Sequence, residues 1–209
     1  VAHVKQLYIM ESNLSFKSLY DLFIKNYDKI MDVTEKIDIE QRQDLLKKTI
    51  SEGKKLLFMM HQLNLFSNNE EFSEIETSNL RFLSLSGRIG NLLTHCLENR
   101  KNKLEEALNH FNLFLSFIIN YGAFPEETLK RVKKTMKNIR SDDAFAQRDE
   151  KIRLFKERKA TTIKMANLQN LIKSRPELED DDITRQLYLL ELSFLLEDCL
   201  TNYSQSLGN

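Results

Sequence analysis

Apolar side chains recur at three- and four-residue intervals along most of the chain, and few residues interrupt this pattern. Only 5 glycines and 2 prolines are present among 209 residues. A protein of many short strands and tight turns needs more of both, because these residues supply the turn conformations. Intervals of three and four residues instead place apolar side chains on one face of an α-helix. The sequence therefore predicts an all-α fold.

About seven periodic segments follow one another, separated by short polar breaks. The fourth segment, residues 104–121, is apolar on most sides, which predicts a helix at the centre of a bundle with Phe114 and Phe117 buried. Short connections favour antiparallel neighbours, as in a helical bundle or a tetratricopeptide-like stack. We expect residues 15–209 to form a single all-helical domain. Residues 1–14 are expected to be an N-terminal extension or remnant.

Composition narrows the class of protein. The 31 basic and 31 acidic residues balance to a net charge of zero, whereas a dedicated nucleic-acid binder is usually basic. Both cysteines, Cys96 and Cys199, lie within helical patterns, which favours a reduced intracellular protein over a disulfide scaffold. No apolar run approaches the length of a membrane span. We expect a soluble protein of the cytoplasm, with the nucleus as a second location.

No catalytic or metal-binding motif is evident. The four histidines lie far apart and have no metal-ligand spacing: His3, His61, His95 and His110. His95 and Cys96 are adjacent, but neighbouring side chains diverge on a helix and cannot form a nucleophile–base pair. Gly87 and Gly90 follow no strand, so they indicate close helix packing and not a phosphate loop. We therefore expect no enzyme activity, no metal and no cofactor.

The segment RDEKIRLFKERK, residues 148–159, concentrates positive charge in this neutral chain. Arg148 and Lys151 fall on neighbouring positions of one helix face. The pair Ile152 and Phe155 is expected to anchor that helix to the core. A supporting basic face would be formed by Lys156, Arg158 and Lys159. Such a patch suits an acidic partner surface, and the alternative is an ordinary solvated helix face.

Three segments resemble the alpha-4/TAP family, whose members associate with the catalytic subunits of type 2A protein phosphatases in TOR signalling. They are LNLFSNNE (63–70) with LRFL (80–83), RDEKIRLFK (148–156) and RQLYLLEL (185–192). They occur in the order and at the spacing of that family.

The resemblance implies an all-helical, tetratricopeptide-like domain without catalytic activity that binds a phosphatase catalytic subunit. It also implies that Arg148 and Lys151 match the family's basic pair that contacts this subunit. We expect the chain to be monomeric on its own. The segment 50–55 lacks the acidic cluster of the ubiquitin-interacting motif found in some members, so that activity is not inferred. The sequence ends at Asn209, which is consistent with either a truncated chain or a short member.

Two alternatives stay open. The first is a generic helical scaffold that binds another acidic protein partner. The second is an RNA- or lipid-binding protein that uses the basic face of the helix over residues 146–172, although acidic residues interrupt this face and no aromatic platform is evident.

Overall fold

The computed structural model describes residues 15–67, 70–139, 144–174 and 181–208. Within these ranges it consists of helices, turns and loops, with no strand. The longer helices are α1 (Phe16–Met31), α2 (Ile39–Gln62), α3 (Leu85–Thr94), α4 (Arg100–Asn120), α5 (Glu126–Met136), α6 (Ala144–Ser174) and α7 (Asp181–Leu207). Short turns at Phe72–Glu74, Thr77–Leu80 and Arg81–Ser84 lead into α3. The predicted all-α fold of about seven helices is confirmed. The predicted extension, residues 1–14, lies outside the described residues.

Asparagine, more often than glycine, occupies the left-handed backbone conformation at the helix junctions of this chain. Asn64, Asn99 and Asn138 adopt positive φ angles of 48°, 50° and 52° at helix junctions, and Gly122 has a φ of 60°. Asparagine tolerates this left-handed region better than most residues, because its short polar side chain can bond locally. The chain therefore changes direction between helices with few glycines.

Helix α3 lies at the centre of the bundle and packs against α2, α4 and α7. Eight of its ten residues are buried, including Ile89. A Cβ atom at Gly90 would lie 2.5 Å from the Phe111 ring of α4, so these two helices approach more closely than alanine would allow. Phe114 is fully buried, as expected. Phe117 is less completely buried and lies beside Tyr121. Helix α3 shares the central place expected for α4, which has six buried residues of its own.

Helix α7 joins the N-terminal and C-terminal parts of the bundle. Arg185 donates hydrogen bonds to the backbone oxygens of Ile75 (2.8 Å) and Phe72 (3.0 Å). Helix α5 is attached to α7 through Arg131, whose guanidinium forms a bidentate ion pair with the carboxylate of Glu197. Helix α6, in contrast, packs mainly against one helix, α7. Among the described residues no helix is both long and apolar enough to cross a membrane.

Candidate protein-binding face of helix α6

Helix α6 has one side against α7 and the other open to solvent. Its 31 residues make it about 46 Å long. The half-buried side chains follow one another at steps of three and four residues and include Leu154, Arg158, Met165 and Leu168. None of the α6 side chains that the structure describes is fully buried. The helix is therefore held along a single seam, and its opposite side is available to a partner.

Four of the predicted site residues are exposed to solvent: Arg148, Lys156 and Lys159 away from the seam, and Lys151 at its edge. We call these four residues the basic face. None of them has a carboxylate within 4.0 Å in the part of the chain that the structure describes. Their positive charges are therefore not neutralised within the described fold and can attract an external anionic surface.

Arg158 lies apart from the basic face, although the sequence grouped it there. Its guanidinium donates a 2.6 Å hydrogen bond to Asp198 of α7. The guanidinium carbon also lies 3.9 Å from the ring centroid of Phe194, in cation–π geometry. Arg158 therefore attaches α6 to α7 at the edge of the basic face, since it stands two turns after Lys151 on nearly the same side of the helix.

The expectation that Ile152 and Phe155 anchor α6 to the core is wrong. Ile152 is 43% exposed and Phe155 is 71% exposed. Successive residues of an α-helix are about 100° apart. Since Leu154 lies in the seam with α7, Phe155 is turned out of it toward solvent. Both side chains therefore belong to the same open side as Arg148 and Lys151.

Arg153 forms ion pairs with two of the three acidic side chains of α6. It forms ion pairs with Glu150 (2.7 Å) and Glu157 (2.6 Å) on its own helix. The hydrogen bond from Arg153 lowers the pKa of the Glu150 carboxyl. Helix α6 carries eight basic and three acidic residues, a net charge of +5 in a chain whose net charge is zero. The positive charge of this chain is thus concentrated on α6.

The described residues contain no cluster of side chains suited to binding a metal ion. No group of three or more histidine, cysteine, aspartate or glutamate side chains in these ranges is placed to hold a metal ion. Cys96 and Cys199 are both buried, and burial raises the pKa of each thiol. A thiol with a raised pKa is a poor nucleophile at neutral pH.

Sequence comparison relates most of the chain to one protein family. Residues 16–207 match the model of the TAP42-like family. An uncharacterized protein of Schizosaccharomyces pombe is 29% identical over 191 residues, which cover 84% of this chain and 51% of the relative. The human protein named immunoglobulin-binding protein 1 family member C is 25% identical over 185 residues, covering 83% and 54%.

A further relative is the Saccharomyces cerevisiae protein named type 2A phosphatase-associated protein 42. It is 27% identical over 200 residues, which cover 81% of this chain and 54% of the relative. The chain therefore spans about half the length of these curated relatives. The solved structure titled as the Tap42 alpha4 subunit superposes with a TM-score of 0.70 at 25% identity, covering 93% of this chain and 95% of that one.

Proposed function

The chain belongs to the TAP42-like family, and from this premise we propose that it binds the catalytic subunit of a type 2A protein phosphatase as a non-catalytic regulatory subunit. The observation that carries the proposal is the pair Arg148 and Lys151, exposed on the open side of α6 without an ionic partner among the described residues. One relative is named as a type 2A phosphatase-associated protein.

The three segments that resemble the alpha-4/TAP family differ in how the fold uses their cations. In the first segment, Arg81 donates a 2.6 Å hydrogen bond to Asp21 of α1. In the third segment, Arg185 binds two backbone oxygens of the loop before α3. These two cations therefore stabilise the bundle through hydrogen bonds within the chain. Arg148 and Lys151 of the second segment form no ion pair with the described residues, which supports an intermolecular role.

The basic face has the physical properties of a docking surface for acidic protein groups. The planar guanidinium of Arg148 can bind a carboxylate with two parallel hydrogen bonds, and Lys151 adds a mobile positive charge. Both side chains project from a continuous helix that Arg158 holds against α7. A helical scaffold positions such groups more accurately than a loop does.

We further propose that the protein acts in TOR-linked signalling in the cytoplasm, with a regulatory or chaperone-like effect on the bound phosphatase. The family resemblance supports this role. A generic scaffold for another acidic protein is the alternative function, and the same binding experiment separates the two.

The test is binding of the purified chain to a purified type 2A phosphatase catalytic subunit. Reversal of both charges, Arg148→Asp with Lys151→Asp, should weaken binding at least about tenfold, because close interfacial charge pairs contribute about 1.5 kcal/mol or more. Helicity and melting temperature should stay near the wild-type values, since both positions are exposed.

The control is the double reversal Lys55→Asp with Lys164→Asp, which makes the same change in net charge. Both lysines are exposed and lack a described carboxylate within 4.0 Å. Lys164 lies on α6 itself, but its position is turned well away from the basic face. If the two double variants bind the phosphatase equally well, the proposed role of Arg148 and Lys151 is wrong. If the wild-type chain does not bind, the proposed function itself fails.

A further inference from the structure

The basic face of α6 surrounds an exposed apolar centre. Phe155 is 71% exposed and Ile152 is 43% exposed, so the two side chains form an apolar patch bordered by charged residues. Lys151 stands four residues before Phe155 and Lys159 four residues after it, so all three side chains lie in one row along the helix. Arg148 stands four residues before Ile152 in the adjacent row.

We propose that Phe155, with Ile152 beside it, is the apolar anchor by which this chain holds the phosphatase catalytic subunit. This inference rests on the proposed function and names the residues that supply the hydrophobic part of the same interface. The complementary surface is an apolar recess rimmed by carboxylates, so that Phe155 enters the recess while Arg148 and Lys151 pair with its rim.

The arrangement has the composition of a protein interface. Such interfaces have an apolar centre, in which aromatic residues are enriched, and a polar rim that stays accessible to solvent. Residues whose truncation weakens binding most are usually aromatic or arginine side chains near that centre. On α6 the exposed aromatic ring of Phe155 lies between cations in both directions along the helix. Its burial by a partner would also shield the neighbouring charge pairs from water and strengthen them.

Charge argues against a second copy of this chain as the occupant. Helix α6 carries a net charge of +5, and a symmetric dimer would bring two such helices against each other. Like charges placed in contact across an interface cost several kcal/mol. The occupant of this face must therefore carry negative charge.

A lipid surface fits the arrangement less well than a protein does. A helix that lies in a membrane interface has a continuous apolar face, with its basic residues on the other side. On α6 the cations share the row of Phe155, because Lys151 and Lys159 flank it at four-residue steps. Insertion of Phe155 into acyl chains would carry these ammonium groups below the headgroups.

The test compares an apolar truncation with a charge truncation, each in the complete chain. Phe155→Ala should weaken binding to the purified phosphatase catalytic subunit about thirtyfold or more, the loss typical of a central anchor. This fold loss should be nearly the same at low and high salt. The loss caused by Lys151→Ala should shrink as salt rises, because salt screens charges. The exposed Phe58 of α2, 52% exposed, provides the matched control, and Phe58→Ala should bind as the wild type does.

Two further measurements complete the experiment: binding by a variant with a different large apolar side chain at position 155, and binding to lipid vesicles. Phe155→Leu should recover a large part of the affinity, because the recess still receives an apolar side chain. Vesicles of mixed neutral and anionic phospholipid should bind wild type and Phe155→Ala equally weakly. Wild-type affinity of Phe155→Ala for the phosphatase would overturn this inference, while loss of binding in the Arg148/Lys151 reversal would still uphold the proposed function. A loss confined to vesicle binding would assign Phe155 to a membrane and overturn the inference as well.

Discussion

The guanidinium of Arg158 on α6 donates a 2.6 Å hydrogen bond to the carboxylate of Asp198 on α7. The same guanidinium lies over the ring of Phe194, one turn earlier on α7. Because α6 has no fully buried side chain among those described, these two contacts form a large part of what fixes its position. They lie in the seam with α7, which borders the basic face at Lys151, seven residues before Arg158.

The first prediction concerns this attachment. Arg158→Met keeps an apolar stem over Phe194 but removes the ion pair with Asp198. The pair is partly exposed, with side-chain exposures of 39% and 30%, so the expected loss is only about 1 kcal/mol of unfolding free energy. Amide hydrogen exchange in α6 should accelerate, because the helix is released locally before the bundle unfolds.

The matched control for this prediction is Lys164→Met, which removes one charge from the same helix without breaking a described ion pair. Its exchange rates in α6 should stay close to those of the wild type. Equal acceleration in both variants would show that the charge of α6, and not its contact with Asp198, determines the local stability.

The second prediction concerns the aromatic core. Phe114 is fully buried, so Phe114→Ala should lower the free energy of unfolding by about 3–5 kcal/mol. Phe117 is only partly buried at the same helix, and Phe117→Ala should cost clearly less. Chemical denaturation of the two variants measures the difference. A cost for Phe114→Ala below about 0.5 kcal/mol is typical of a surface site and would contradict its central position.

Periodicity predicted the helices of this chain but not which side of each helix is buried. In α6 both the row of Leu154 and Met165 and the row of Ile152 and Phe155 satisfy helical spacing. The choice between them depends on what α7 presents, about 40 residues later in the chain. The spacing of the apolar residues Leu154, Met165 and Leu168 on one side of α6 is the sequence signal that agrees with the observed seam.

Long-range partners also explain the other differences from the sequence predictions. The sequence does not reveal that Arg158 is paired, since its ion pair with Asp198 spans 40 residues and leaves no local pattern. Helix α3 joins α4 at the centre because Gly90 lets Phe111 of α4 approach closely, and a count of apolar residues does not predict this contact. The exposed position of Arg148 and Lys151 agrees with the sequence-based prediction of a surface pair, and their partner stays a proposal.

The third prediction tests the close contact between α3 and α4. Gly90→Ala would place a methyl group 2.5 Å from Cε1 of Phe111. The gain in helix propensity is about 1 kcal/mol, but overpacking in a core costs about 1–3 kcal/mol. We expect a net loss of stability, measured as a lower melting temperature. Gly90→Ala should cost less stability in a Phe111→Leu background than in the wild-type background. Equal costs in both backgrounds would exclude this clash.

The fourth prediction concerns the pH dependence of stability. Burial lowers the pKa of His110, whose imidazole lies 3.3 Å from the hydroxyl of Ser86. As pH falls below the unfolded pKa of about 6.5, the unfolded chain binds a proton that the folded protein still excludes. The contribution of His110 to stability is therefore kept above that pH and lost as the pH falls toward its lowered folded pKa.

His110→Asn isolates this effect, because an amide can replace the imidazole nitrogen near Ser86 without titrating. Urea denaturation at neutral and mildly acidic pH gives the loss of unfolding free energy for each protein. The wild type should lose more stability than the variant between the two conditions. An equal loss would mean that His110 does not contribute to the acid sensitivity.

The fifth prediction concerns the rate of partner association. The basic face carries four exposed cations without a described ionic partner, so it should attract an acidic surface before contact is made. The screening length falls from about 10 Å at 0.1 M salt to about 3 Å at 1 M. The association rate constant for the phosphatase catalytic subunit should therefore fall as salt rises, while the dissociation rate changes less. In the Arg148→Asp, Lys151→Asp variant the dependence on salt should be much weaker, whereas the Lys55→Asp, Lys164→Asp variant should retain more of it at the same net charge. Equal salt dependence in the two variants would show that the overall charge of the chain steers association and that the placement of Arg148 and Lys151 does not.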